Sequence, residues 1–204
     1  MYSYALNIPN LIFNCIGTSL TMVVIPVYSS LLAKEEHEES NKFLNDIISI
    51  SCFLIIFLII IGWIASPFIA NLTGYRYIPE NRQFLIFALR VLMPVMFFYG
   101  LNYIFQGVLQ SNGIFRVPAF VTVPSSITII LYILLLGKRF GVKGLLFSTV
   151  LGLGLQVAIL IPFIRKTGYR YKFSIDLKNK NIINAGKLIL PVLISVSSYQ
   201  INMW

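Results

Sequence analysis

The chain has 204 residues, of which 57% are apolar and 11% charged, and 16 Lys and Arg against 7 Asp and Glu leave a net charge of +9. Soluble domains carry about a quarter charged residues, and a soluble surface needs roughly 25–35%. A soluble basic domain, such as a nucleic-acid-binding module, is therefore excluded, and at about 20 apolar residues per crossing the chain accommodates at most about seven membrane spans with short loops.

In chain order, the first apolar block covers residues 4–32 and contains Pro9, Asn14, Gly17 and Pro26. Proline removes a backbone donor and crowds the preceding turn, so this span is expected to be broken. Broken helices bind substrate in many transporters, whereas packing through Gly17, Thr18, Ser19 and Thr21 is the plainer account of the small residues. An acidic connection follows from Lys34 to Glu39 and holds the chain's single histidine, His37. It reads as a solvated link, with a proton-sensing element as the alternative. The second block, 44–72, includes the run FLIIFLIIIGWIA from Phe53 to Ala65. The third spans 84–109, the fourth 117–136 and the fifth 144–164, and a sixth runs from about 185 to 204. Lipid offers backbone groups no partner, so such spans are helices. Barrel strands would be about ten residues of alternating polarity, and these blocks do not alternate. The expected fold class is all-α, a polytopic transmembrane helix bundle.

The chemistry is narrow. Cys15 and Cys52 lie in apolar stretches and read as buried free thiols. One histidine cannot build a His-rich metal site, and no GxxxxGK[ST], GxGxxG or HExxH pattern occurs. No enzyme, metal or cofactor is expected.

Loop charge orients the bundle. The loops after spans one, three and five hold ten cations: Lys34, Lys42, Arg116 and seven more between Arg165 and Lys187. Those after spans two and four hold five: Arg76, Arg82, Lys138, Arg139 and Lys143. By the positive-inside rule the first set faces the cytoplasm, and the first span enters from outside. Met1 to Tyr4 has no basic stretch of a signal peptide, and Trp204 falls inside an apolar run. The chain is expected to be an internal piece of a longer transporter.

Polar groups within spans are costly unless partnered, and mark function by default. Arg90, in the third span, reads either as a cation snorkelling to the interface or as a cavity-lining cation for an anionic substrate. Asn102, Gln106 and Gln110 recur every four residues, with Tyr99 about one turn earlier, and so share a helix face. That face is either an interhelical hydrogen-bonding seam or one wall of a hydrated cavity. Beyond the fifth span, Tyr169, Tyr171 and Phe173 interleave with Arg170 and Lys172. With Arg165 and Lys166 they suit the headgroup zone of anionic lipid, as a general interfacial belt or as a site for a particular headgroup.

Several of these segments resemble the MviN/MurJ-type lipid II flippases of the multidrug/oligosaccharidyl-lipid/polysaccharide exporter superfamily. IPNLIFNCIGTSLTMVVIPVYS (Ile8 to Ser29) is similar to the family's second helix. LRVLMPVMFFYGLNYIFQGVLQSNGIFRVPAF (Leu89 to Phe120) is similar to the fourth helix and its exit. Gln156, Pro162 and the Lys-Thr-Gly-Tyr of residues 166 to 169 resemble the sixth, and LPVLISVSSYQIN (Leu190 to Asn202) the start of the seventh. The resemblance implies helices two to seven of a fourteen-helix protein, that is, part of the N-terminal lobe of a two-lobe transporter. It implies a bacterial cytoplasmic membrane location and alternating-access translocation of a lipid-linked, undecaprenyl-pyrophosphate-type precursor, in concert with the remainder of the polypeptide. Relatives often carry arginine just after the Pro-Asn-Leu, where this chain has Phe13 and Asn14, so the piece holds few of the expected cavity cations. Asn14, Arg90, Tyr99, Asn102, Gln106 and Gln110 are the substrate-cavity candidates. The competing readings are an exporter of another lipid-linked polysaccharide and a membrane scaffold subunit.

Overall fold

The computed structural model describes residues 2–72 and 79–202, and within them the side chains of residues 17, 19–71, 80–189, 191 and 194. Among the described residues there are eight helices and no strand: α1 (Tyr2–Ala33), α2 (His37–Leu72), α3 (Pro79–Leu92), α4 (Val95–Ser111), α5 (Arg116–Ala119), α6 (Val123–Leu135), α7 (Gly137–Lys166) and α8 (Lys180–Asn202). Among the described residues four stretches are long and apolar enough to cross a membrane: His37–Asn71, Glu80–Ser111, Arg116–Leu135 and Gly137–Lys166. The all-α transmembrane bundle expected from hydropathy is the observed fold.

The first block differs from expectation, since α1 is one uninterrupted helix across Pro9 and Pro26. Its neighbours explain how: α1 packs on α3, α4 and α8, and such packing lets membrane helices tolerate the backbone groups that proline orphans. The acidic connection is a tight turn in which Glu35 takes a φ of 60°. His37 then opens α2, with Glu38 and Glu39 in its first turn, where negative charge suits the positive end of the helix dipole.

The third block divides. Pro94 cannot donate to the helix ladder, and the chain passes from α3 into α4 through short-range bonds from Met96 to Met93 and from Phe97 to Pro94. The fifth block starts earlier than hydropathy alone indicates. α7 begins at Gly137 and bends at Gly141, whose φ of 53° and ψ of −145° are not helical.

α7 lies close against α6 along a stripe of small residues, Gly144, Ser148 and Gly152, spaced one turn apart. A Cβ on Gly144 would sit 2.2 Å from the Tyr132 hydroxyl, and one on Gly152 would sit 3.0 Å from the Ser125 Cα. Small residues thus let two membrane helices approach where no hydrophobic driving force exists between them.

Among the described residues two larger cores hold the bundle, beside a small cluster of Ile55, Met93 and Met96. One joins the helix ends around the α1–α2 turn and the end of α7 through Val23, Val24 and Tyr28 of α1, Phe43 and Leu44 of α2, Ile104 and Leu109 of α4, and Leu160 and Ile164 of α7. The other joins the opposite halves through Ala70, Leu85, Leu89, Leu92, Leu146 and Leu153. Outside them, α2 exposes Phe53, Ile56, Phe57, Ile60 and Ile64, and α6 exposes Ile127, Ile130, Ile133 and Leu134. That apolar surface fits lipid rather than water.

Candidate functional site

The Arg90 backbone and side chain are both engaged at the α3–α4 break. Proline at position 94 cannot supply the amide that would bond the carbonyl four residues back, which is that of Arg90. The Trp63 indole of α2 donates to that carbonyl at 2.7 Å. The Arg90 Nε donates to the Ser66 hydroxyl at 3.1 Å, and Ser66 in turn donates to the Trp63 carbonyl at 2.8 Å. The guanidinium is exposed and lines a shallow groove of about 680 Å3 with Trp63, Phe87, Pro94 and Phe147. Lys143 sits over the neighbouring Phe87 ring, 5.8 Å from its centroid.

The α4 amides are distributed unevenly. Asn102 is 3% exposed; its Nδ2 donates 2.7 Å to the Gln156 Oε1 of α7. Gln106 donates to the Asn102 Oδ1, and the Gln156 Nε2 donates 2.5 Å to the Ser125 hydroxyl of α6. One chain of polar groups therefore ties α4, α7 and α6 together, with the buried amides satisfied as the membrane interior requires. Gln110 and Tyr99 are half-buried. Tyr99 lies 6.5 Å, centroid to centroid, from the Tyr103 ring. The side chain of Asn14 lies outside the described residues.

The end of the bundle where α2 begins and α7 stops carries a second polar cluster that sequence reasoning missed. Asp46 is completely buried. Its Oδ1 accepts from the Ser174 hydroxyl at 2.6 Å and the Asp176 amide at 3.3 Å, and its Oδ2 from the Asn179 amide group at 3.2 Å. Its neighbour Asn45 accepts from the Tyr169 hydroxyl at 2.8 Å and the Lys172 amide at 2.9 Å. Ser49 and the Tyr171 hydroxyl share a bond of 2.9 Å. Lys42 pairs with Asp176 at 2.8 Å. The first turns of α2 thus clamp the connection from α7 to α8.

Burial, and then the neighbouring Tyr171 and Tyr28, push the Tyr169 phenol well above its usual range, so it stays a donor to Asn45. The hydrogen bond from Lys42, then that from the Lys178 amide, holds the Asp176 carboxyl below the usual carboxylate value. The signal for this clamp was present. Asp46 lies inside the apolar block 44–72, and a carboxylate there needs partners.

The cations Arg165, Lys166, Arg170 and Lys172 are all exposed at this end. Arg165 and Lys166 close the last turn of α7, where positive charge suits the helix dipole. Lys166 also lies 5.6 Å from the centroid of the Phe163 ring. Tyr169, expected in an interfacial belt, is instead packed into the core at 4% exposure. Cys52 is a free thiol, half-buried rather than fully enclosed.

The family described as Lipid II flippase MurJ matches residues 1–204. Among curated proteins, the probable lipid II flippase MurJ of Borreliella burgdorferi is 29% identical over 99% of this chain and 40% of its own length. That of Buchnera aphidicola is 23% identical over 96% of this chain and 39% of its own. That of Haemophilus influenzae is 23% identical over 100% of this chain and 42% of its own. The chain therefore spans about two-fifths of these relatives' length. A solved structure of lipid II flippase MurJ in an inward closed conformation superposes with a TM-score of 0.80 at 26% identity, over 99% of this chain and 42% of that one. With its spans and these relatives, the chain is a multi-pass protein of the bacterial cytoplasmic membrane. Its sequence across residues 1–204 and its helix arrangement lead to one family: the chain belongs to the lipid II flippases of the MurJ type.

Proposed function

We propose that this chain forms part of the N-terminal lobe of a transporter that moves lipid II across the cytoplasmic membrane by alternating access. The family match over residues 1–204 carries this reading. Transport of this kind needs lobes that rotate as units about a site between them, with no covalent change to the substrate.

The parts of the chain take distinct roles in this reading. Arg90 is the cation for the anionic part of the substrate, supported by its exposure and by a guanidinium that spends only Nε on a protein partner among the described residues. Asn14, Tyr99 and Gln110 complete the polar wall. Asn102 and Gln106 act through the bonds that hold α4 to α7 and α6, so that the lobe moves as one body. The undecaprenyl-pyrophosphate linkage is the group Arg90 would meet.

Complementation of a flippase-depleted strain by the full-length gene tests this. Arg90→Gln is expected to cut growth rescue and raise the accumulated lipid II at normal membrane levels of the protein. Full rescue by that variant removes Arg90 from the substrate path. Gln106→Leu is expected to lower transport with membrane insertion intact; loss of insertion instead restricts Gln106 to assembly.

A further inference from the structure

Between α2, α4, the end of α7 and the connection after it, the bundle leaves a groove of about 810 Å3. Its walls are apolar: Ile48 and Cys52 of α2, Leu101 and Phe105 of α4, and Ile161 of α7. The α2 and α4 pairs are each four residues apart, so each helix presents one continuous stripe along the groove.

At the cytoplasmic end the character changes to Arg165, Arg170 and Tyr171. Both arginines are exposed. The ion pair between Lys42 and Asp176 is the only one among the described residues, so neither guanidinium is neutralised by a carboxylate there. The rim is also fastened in place. Tyr171 is bonded to Ser49 and Tyr169 to Asn45, which sets the loop bearing Arg170 beside the end of α7 bearing Arg165.

An apolar slot whose mouth holds two unneutralised guanidiniums at the cytoplasmic interface has the charge and shape of one ligand class. We propose that this groove binds an anionic glycerophospholipid of the cytoplasmic leaflet, with an acyl chain between α2, α4 and α7 and the phosphate between Arg165 and Arg170. Arginine suits the phosphate because its planar fork bonds two oxygens at once. Each cation near an anionic leaflet contributes roughly a fivefold gain in binding, so the pair gives a preference on the order of tenfold or more over a zwitterionic lipid. The site lies apart from Arg90 and its readout is lipid retention, so it stands independently of the transport assignment.

Native mass spectrometry of the full-length protein in detergent, titrated with phosphatidylglycerol or phosphatidylcholine, tests the site. One phosphatidylglycerol per protein is expected to be retained on the order of tenfold more strongly than phosphatidylcholine. The pair Arg165→Gln and Arg170→Gln is expected to abolish the preference, and Arg165→Lys with Arg170→Lys to keep most of it, with the fold of each checked by thermal unfolding. Ile161→Trp, which fills the slot at a wall position 38% exposed, is expected to lower retention of both lipids. Excess inorganic phosphate is expected to leave the lipid bound. Equal retention of the two lipids, or a preference that survives the double Gln change, overturns the proposal. So does retention unaffected by Ile161→Trp, or a wild-type groove that takes up no lipid because another part of the polypeptide fills it.

Discussion

At the scale of single residues, the α3–α4 break is an exchange of hydrogen bonds. Pro94 orphans the Arg90 carbonyl, and Trp63, an indole that needs an acceptor, supplies the bond. Removing the indole donor with Trp63→Phe keeps most of the ring but leaves that carbonyl unsatisfied, at a cost of about 1–3 kcal/mol. Pro94→Ala restores the missing amide to the helix ladder. The two changes should therefore be non-additive, with Trp63→Phe costing less in the Pro94→Ala background. Thermal unfolding of the full-length protein in detergent over a double-mutant cycle measures this. Strict additivity would show that the indole bond does not compensate for the proline. Half of this arrangement was legible beforehand: a proline four residues after Arg90 announces a bare carbonyl. Which donor reaches it was not, because Trp63 lies 27 positions away on another helix.

Between elements, the α6–α7 contact depends on backbones that approach closely. Gly152 leaves no room for a branched side chain against the Ser125 Cα, and Ser125 also accepts the last bond of the amide relay. Gly152→Val is thus expected to force α6 away from α7, break the bond between Gln156 and Ser125, and cost about 1–3 kcal/mol through overpacking. Gln156→Leu removes the relay without the clash, and interhelical bonds of this kind average about 0.6 kcal/mol, so it should cost clearly less. Melting temperatures of the two variants decide the order, and a larger loss for Gln156→Leu would make the relay rather than the close approach the main fastening. The four-residue spacing of Asn102 and Gln106 was readable as a shared face. That the partner is Gln156 was not, because spacing along one helix says nothing about which helix stands opposite. The Gly144, Ser148 and Gly152 stripe followed the same four-residue rule and was passed over among the apolar residues around it.

Across the whole molecule, fold class comes from a quantity that sums along the chain, hydropathy per segment, which is why it was legible without knowledge of any contact. The clamp of Asp46 on residues 174 to 179 depends on pairings 128 to 133 positions apart and was legible only as an unexplained acid in an apolar block. The clamp and the charge count agree on one further point. Lys42, Asp46, Arg165, Arg170 and Asp176 gather at one end of the bundle, and the junction of α6 and α7, with Lys138 and Arg139 in the first turn of α7, lies at the opposite end of α7 from Arg165. If the cation-rich end faces the cytoplasm, single cysteines placed by Glu36→Cys and Phe173→Cys in full-length protein free of other cysteines should resist a membrane-impermeant maleimide in intact spheroplasts. Lys138→Cys should react with it there. Inverted vesicles should reverse the pattern, and labelling of position 173 but not 138 from outside would turn the bundle over. The arginine-rimmed groove would then face the outer leaflet, away from the cytoplasmic lipids to which it is assigned.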